Sequence, residues 1–249
     1  MTADVRDDWM KRTGPFYPLL VAFRMQSALP VADQLEPTSE DLTRGGPWLI
    51  GVGVLVGLGL ALLATVLLWS PLVPAISATL LVAVWVFTTG AFAEKGVVRW
   101  LLGVGGAERE MGSGHLLAAI LVRLGLLLGT SPSGWAMALV ASSIAGKLAW
   151  LVATRAPWDL PLDDESEVEP VAAGLTPPRW GVVGLIAICG VVAFTGPWGV
   201  GLLVAATAMG WGARRLGISR ATLVGVVELA AMIAIAIAVP ATVSPLVSR

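Results

Sequence analysis

The stretch PWLIGVGVLVGLGLALLATVLLW, residues 47–69, decides the fold. It carries no charged side chain from end to end and is long enough to cross a bilayer as a helix, which takes roughly 20 mainly apolar residues. Its glycines are read as helix-packing contacts, because small residues let membrane helices approach closely. A nucleotide fingerprint would need a strand–turn–helix context that this run does not offer.

The rest of the chain agrees with that stretch. Of 249 residues, 56% are hydrophobic and 13% charged, and mean hydropathy is +0.82. Soluble domains carry about a quarter charged residues, so the expected class is an all-α integral membrane protein. Further spans are read at about 72–93, 114–129, 134–154, 180–196, 197–213 and 221–243, making seven with the first. The run FYPLLVAFRMQSALP, 16–30, is too short to cross and contains Arg24, and reads as an amphipathic interfacial helix. The expected organisation is therefore a cytoplasmic N-terminal segment (1–46), one polytopic domain (47–243) and a short tail (244–249). The acidic, proline-rich loop WDLPLDDESEVEPVAAGLTPP, 158–178, is expected to be a poorly ordered linker.

Loop charge sets the expected orientation. Basic residues precede the first span (Arg6, Lys11, Arg12, Arg24, Arg44) and follow the second (Lys95, Arg99, Arg109), fourth (Arg155, Arg179) and sixth (Arg214, Arg215, Arg220). The alternate connections are nearly bare. The positive-inside rule then places the N-terminus in the cytoplasm and the C-terminus outside, in a bacterial or archaeal cytoplasmic membrane. The first 14 residues are polar, so no cleavable signal is expected there.

Composition also excludes function classes. A single cysteine, Cys189, and a single histidine, His115, rule out a disulfide framework and multi-histidine or cysteine metal sites. A net charge of −1 gives no reason to expect a nucleic-acid partner. Three ionisable residues fall inside apolar spans: Arg123, Lys147 and Glu228. Such groups usually face a bundle interior or a water-filled cavity. Cations at that depth suit an anionic ligand, phosphate above all. The glycine run GVGGAEREMGSGH, 103–115, can form a backbone nest for a phosphate but lacks the P-loop ending.

The order of several motifs resembles a known family, the membrane-bound cobalamin-5′-phosphate synthases, or adenosylcobinamide-GDP ribazoletransferases. FRMQSALPV (23–31) keeps Phe23, Leu29, Pro30 and Val31 of a family Phe…Thr-Arg-Leu-Pro-Val pattern, and PWLIGVGVLVG (47–57) is similar to the start of the family's first span. TTGAFAEKGVVRWLLG (88–103) stands where the family has Thr-Gly-Gly-Phe/Leu-His-Leu-Asp-Gly-Leu-Ala-Asp-Thr-x-Asp-Gly. AEREMGSGHLLAAI (107–120) resembles an Arg-Asp-Ser-x-x-Gly-x-x-Gly turn, and GKLAWL (146–151) echoes a Ser-Arg near the end of a later span. RRLGISRATLVGVVEL (214–229) resembles Arg-Arg-Leu-Gly-Gly-x-Thr-Gly-Asp-x-Leu-Gly-Ala-x-x-Glu-Leu.

The resemblance implies a transferase that joins GDP-activated cobinamide to α-ribazole and releases GMP with magnesium. The departures fall on the acidic motif. Aligned gap-free from Gly96, its aspartates fall on Lys95, Arg99 and Leu102 and its histidine on Ala93, while the last block's aspartate falls on Ala221. If the site is rebuilt, the implied catalytic set is Glu94, Lys95, Arg99, Glu108, Lys147 and Glu228. Magnesium would then rest on Glu94, Glu108 and Glu110, and substrate phosphate on Arg214, Arg215 and Gly112. Residues 94–112, Lys147, Arg214 and Glu228 are expected around one cytoplasmic cavity. Two other readings stay open: a non-catalytic paralogue that binds corrinoid, oligomerises or partners an intact synthase, and a small membrane transporter or scaffold.

Overall fold

A computed structural model describes residues 10–26, 37–104, 113–155, 165–216 and 218–239. Every regular element among them is helical. In chain order they are α1 (Tyr17–Gln26), α2 (Ser39–Gly45), α3 (Leu49–Trp69), α4 (Pro74–Thr89), α5 (Phe92–Val104), α6 (Ser113–Gly129), α7 (Trp135–Arg155), α8 (Glu165–Gly174), α9 (Pro177–Thr195), α10 (Gly199–Arg215) and α11 (Arg220–Ala238). Four helical stretches are long and apolar enough to cross a membrane: Ser39–Trp69, Pro132–Thr154, Pro177–Thr195 and Ala221–Ala238. The bent pair α4–α5 passes the same test as a unit. Helices α6 and α10 are apolar but shorter.

The bundle is built around α7, which α3, α9, α10 and α11 all touch. Residues 138–151 of α7 are buried throughout, although the sequence holds Ser142, Ser143, Gly146 and Lys147. The reason is size. Ala138, Ala141, Ala145 and Ala149 bring neighbouring backbones close, as small residues do in membrane helix pairs. A methyl group built on Gly57 of α3 would lie 2.8 Å from Val140 Cα, and one on Gly53 would lie 3.0 Å from the Ser143 carbonyl. Because Gly53 meets Lys147 while Gly57 meets Val140, α3 runs antiparallel to α7. Helix α11 does the same, with Gly146 against Val224 and Gly134 against Val239. The starts of α3 and α11 therefore share one end of the bundle with the end of α7.

Two expectations are revised. Residues 72–93 do not form one straight helix: α4 stops at Thr89 and the chain turns through 90° into α5. Gly90 sits in the left-handed region at φ 62°, where only glycine is unstrained, and Ala91 follows at φ 57°. The Ala91 amide donates to the Val86 carbonyl at 2.9 Å, so this is a helix-capping reversal. The apolar count across 72–93 cannot reveal it, because a turn made of small and apolar residues keeps the hydropathy of a span. The second revision is at 158–178, where residues 165–174 form α8. Val171 and Leu175 are fully buried, and Gly46 and Gly174 let α8 settle against α2 and the turn before α3. The acids of that stretch masked a short apolar strip.

Of the expected 16–30 interfacial helix, residues 17–26 are helical and bury Val21 and Ala22 against α2 and α3. Residues 27–30 lie outside the described residues. Helix α2 starts on a capping box: the Asp41 amide donates to Thr38 Oγ1 and the Thr38 amide to Asp41 Oδ2.

Helix α5 owes its position to α11. A methyl on Gly96 would overlap the backbone of Ala221 and Thr222, and one on Gly225 would overlap the Ala93 carbonyl. Thr222 Oγ1 donates to the Gly96 carbonyl at 2.9 Å. Gly96→Val and Gly225→Val are each expected to destabilise the fold by about 3 kcal/mol or more through overpacking. Gly59→Ala, which faces open space, is expected to be neutral or to stabilise by about 0.5–1 kcal/mol. Thermal denaturation of the purified protein in detergent distinguishes these outcomes.

Candidate functional site

Among the described residues the apolar core contains one cluster of charge, and five helices contribute to it. Arg123 of α6 stands at its centre, with 1% of its side chain exposed. Its Nη1 lies 3.1 Å from Glu94 Oε1 of α5, and its Nη2 donates to Glu228 Oε2 of α11 at 2.8 Å. Lys147 Nζ of α7 lies 3.6 Å from the other Glu228 oxygen. The Trp85 ring of α4 faces the guanidinium, 4.0 Å from Cζ to ring centroid. That stacking is a cation–π contact, worth about 2 kcal/mol where water is excluded.

Each member is delivered by a local feature of the sequence. Glu94 points into the bundle because the Gly90–Ala91 reversal turns α5 inward and Gly96 and Gly225 seat it on α11. Glu228 reaches across α7 because residue 146 is glycine: a methyl there would lie 2.8 Å from Glu228 Cγ. Gly53 likewise leaves room for the Lys147 stem, with 3.0 Å between a methyl and Lys147 Cγ. Trp85 and Arg123 sit on α4 and α6, which pack on each other.

Among the described residues the cluster sets two carboxylates against two cations. In a low-dielectric interior each isolated charge would be very costly, and pairing is what makes the set tolerable. The pairing is incomplete in one respect. Arg123 and Glu94 are close but misaligned, so neither Glu94 oxygen accepts a hydrogen bond, and Arg123 Nε and Nη1 make none. Glu94 is thus held by charge alone, with acceptor capacity left over.

The expected site residues divide into three groups. Glu94, Lys147 and Glu228 are brought together around Arg123. Lys95 projects outward from α5 and is exposed. Arg99 lies in α5 and Arg214 and Arg215 end α10, but their side chains, like all of Glu108, Glu110 and Gly112, lie outside the described residues.

The two cations read within the spans, Arg123 and Lys147, both contact Glu228. A magnesium ion between Glu94 and Glu228 does not fit this chemistry, while Glu108 and Glu110, the other ligands the resemblance implies, lie outside the described residues. Glu94 and Glu228 are the buried acids of the cluster, and a guanidinium bridges them; a divalent cation between them would face Arg123 and Lys147 at close range. Among the described residues no three acids, histidines or cysteines converge.

Sequence reasoning flagged Arg123 as an intramembrane charge but gave it no place in the site. A lone arginine midway along an apolar helix was the available signal, since such a residue requires a buried acid. Trp85 carried no signal, because a tryptophan in a span is usually a packing residue.

Arg123→Met is expected to cost about 3–5 kcal/mol, because it strands two buried carboxylates. Adding Glu94→Gln and Glu228→Gln should recover part of that loss. Denaturation midpoints of the single and triple variants test this, and the wild-type midpoint should change little between low and high salt, since buried pairs are poorly screened. Comparison with known proteins supplies no relative for this arrangement: no family model, curated protein or solved structure matches the chain.

Proposed function

We propose that the chain is a ribazoletransferase-like membrane protein in which an internal cation has replaced the divalent ion, and that it binds a phosphate-bearing corrinoid without transferring it. One observation carries this reading: Arg123 bridges Glu94 and Glu228. In the motif resemblance, Glu94 stands one residue before the first of the family's aspartate positions, and Glu228 belongs to the last block. A guanidinium between them offsets the charge of both carboxylates, hydrogen-bonding Glu228 alone, and has no open coordination position to offer a phosphate. The fold would be retained while the electrostatic stabilisation of a phosphoryl transition state, normally worth several kcal/mol, would be lost. Seven passes, a cytoplasmic N-terminus and an outward C-terminus complete the proposal, supported by the loop-charge asymmetry.

Substrate phosphate would then be attracted by charges outside the cluster: Lys95 on α5 and the arginines Arg99, Arg214 and Arg215. A second reading is favoured by a different observation. The pair α4–α5 is broken by 90°, with a buried acid, Glu94, one turn beyond the break. Broken helices beside buried charge are a feature of transporters, and in that reading Glu94 is a proton or ion acceptor on a translocation path.

The experiment uses membranes carrying only this protein, supplied with adenosylcobinamide-GDP and α-ribazole. Binding of the corrinoid should be unchanged when EDTA replaces magnesium and should weaken as salt rises, because exposed charges are screened beyond about 10 Å at 0.1 M. GMP release should stay at background. Magnesium-dependent release of GMP overturns the proposal. Uptake into sealed vesicles with no retained corrinoid selects the transporter reading instead.

A further inference from the structure

At the end of the bundle where α2, α8 and the start of α3 gather, a cavity of ≈ 420 Å³ opens between α1, α3 and α9. Its rim holds two arginines, Arg44 at the end of α2 and Arg179 in the first turn of α9. Its floor is apolar, formed by Ile50, Val182, Val183 and Ile186. The geometry points to a binding site for one anionic phospholipid, with its phosphate between Arg44 and Arg179 and an acyl chain along the α3–α9 groove.

Charge and position together select that occupant. Arg44 is compensated by Glu40, one turn earlier in α2, at 2.6 Å. Arg179 donates to the Gly174 carbonyl at 3.0 Å, a contact that anchors the guanidinium but brings no negative charge. Among the described side chains the rim therefore carries one positive charge in excess, which favours an anionic over a zwitterionic headgroup. Trp48, also on the rim, is 41% exposed, in keeping with the aromatic residues that anchor membrane–water boundaries. Below it the exposed faces of Val182 and Ile186 continue along α9 in the direction a chain would take.

A free phosphate would gain nothing from the apolar floor, and an apolar partner helix would have to bury both guanidiniums. A second groove, of ≈ 620 Å³ between α7, α9 and α10, is lined by Trp180 and Trp211 and apolar residues without a charged group, so nothing there selects an occupant. The lipid site requires only that α3 and α9 cross the bilayer, and is independent of the corrinoid reading.

The test is lipid retention by the purified full-length chain in native mass spectrometry, after equilibration with equal phosphatidylglycerol and phosphatidylcholine. Retention of phosphatidylglycerol over phosphatidylcholine is expected. A headgroup charge near one basic side chain contributes about fivefold, so the double substitution Arg44→Gln with Arg179→Gln should weaken that retention on the order of twentyfold. The matched Lys pair should keep most of it. Phosphatidylglycerol with brominated chains should quench Trp48, read as the difference between wild type and Trp48→Phe, which keeps the test decisive where the Gln pair fails to fold. Equal retention of the two lipids, a Gln pair that folds and still prefers phosphatidylglycerol, absent Trp48 quenching, or displacement by millimolar inorganic phosphate would each overturn the site. The result leaves the GMP-release assay untouched, so the two proposals fail separately.

Discussion

The structure depends on one guanidinium in an apolar bundle. Arg123 is nearly inaccessible, and an arginine at such a depth is stable only if its charge is met. The need is met from two different helices, α5 and α11, while Lys147 on α7 approaches the second acid from its other side. Four helices are thereby tied by charge, and Trp85 adds a fifth through its ring. The apolar surfaces alone would permit many rotations and slides of these helices, since lipid chains are as apolar as the side chains they replace. The charge cluster admits only the arrangement that brings four ionised groups within contact.

Glycine makes that arrangement reachable. Gly96 and Gly225 let α5 and α11 touch backbone to backbone, and Gly146 and Gly53 clear the space in which Glu228 and Lys147 lie. The same close approach is visible between α10 and α7 at Gly210 and Ala149. Such contacts gain dispersion energy over many atom pairs, which is the main attraction left between helices in lipid. Close packing and ion pairing are thus one device: without the glycines the acids stand too far from Arg123, and without the ion pairs the glycine contacts have less reason to keep one register.

The end of the bundle near α2 and α8 follows a different logic. There the chain is amphipathic, with a capping box starting α2, an exposed Glu40–Arg44 pair, and Val171 and Leu175 sealing α8 underneath. Polar groups at this end stay in contact with water, so Arg44 and Arg179 can hold their charge without a buried partner. The contrast explains why the core cations are paired with acids inside the bundle while the rim cations remain able to meet a ligand from outside the chain.

The sequence by itself determined the all-helical class, the apolar helices long enough to cross a membrane, and the presence of ionisable groups among them. Those properties are local: a run such as 47–69 has no other favourable state in which to satisfy its backbone. Lys147 and Glu228 were legible as site residues for the same reason, because burial of a charge is costly whatever surrounds it. Partnership was not legible. Glu94 and Arg123 stand far apart in the chain, and only the Gly90–Ala91 reversal and the seating of α5 on α11 bring them together. The helix at 165–174 was not legible for a related reason: Val171 and Leu175 find a buried surface on distant elements, while the preceding residues, 163–169, are mostly acidic. The tertiary structure decided whether the buried cations face a ligand or each other's counter-ions. It paired them inside the protein, because a carboxylate on a neighbouring helix is always present and an external anion is not.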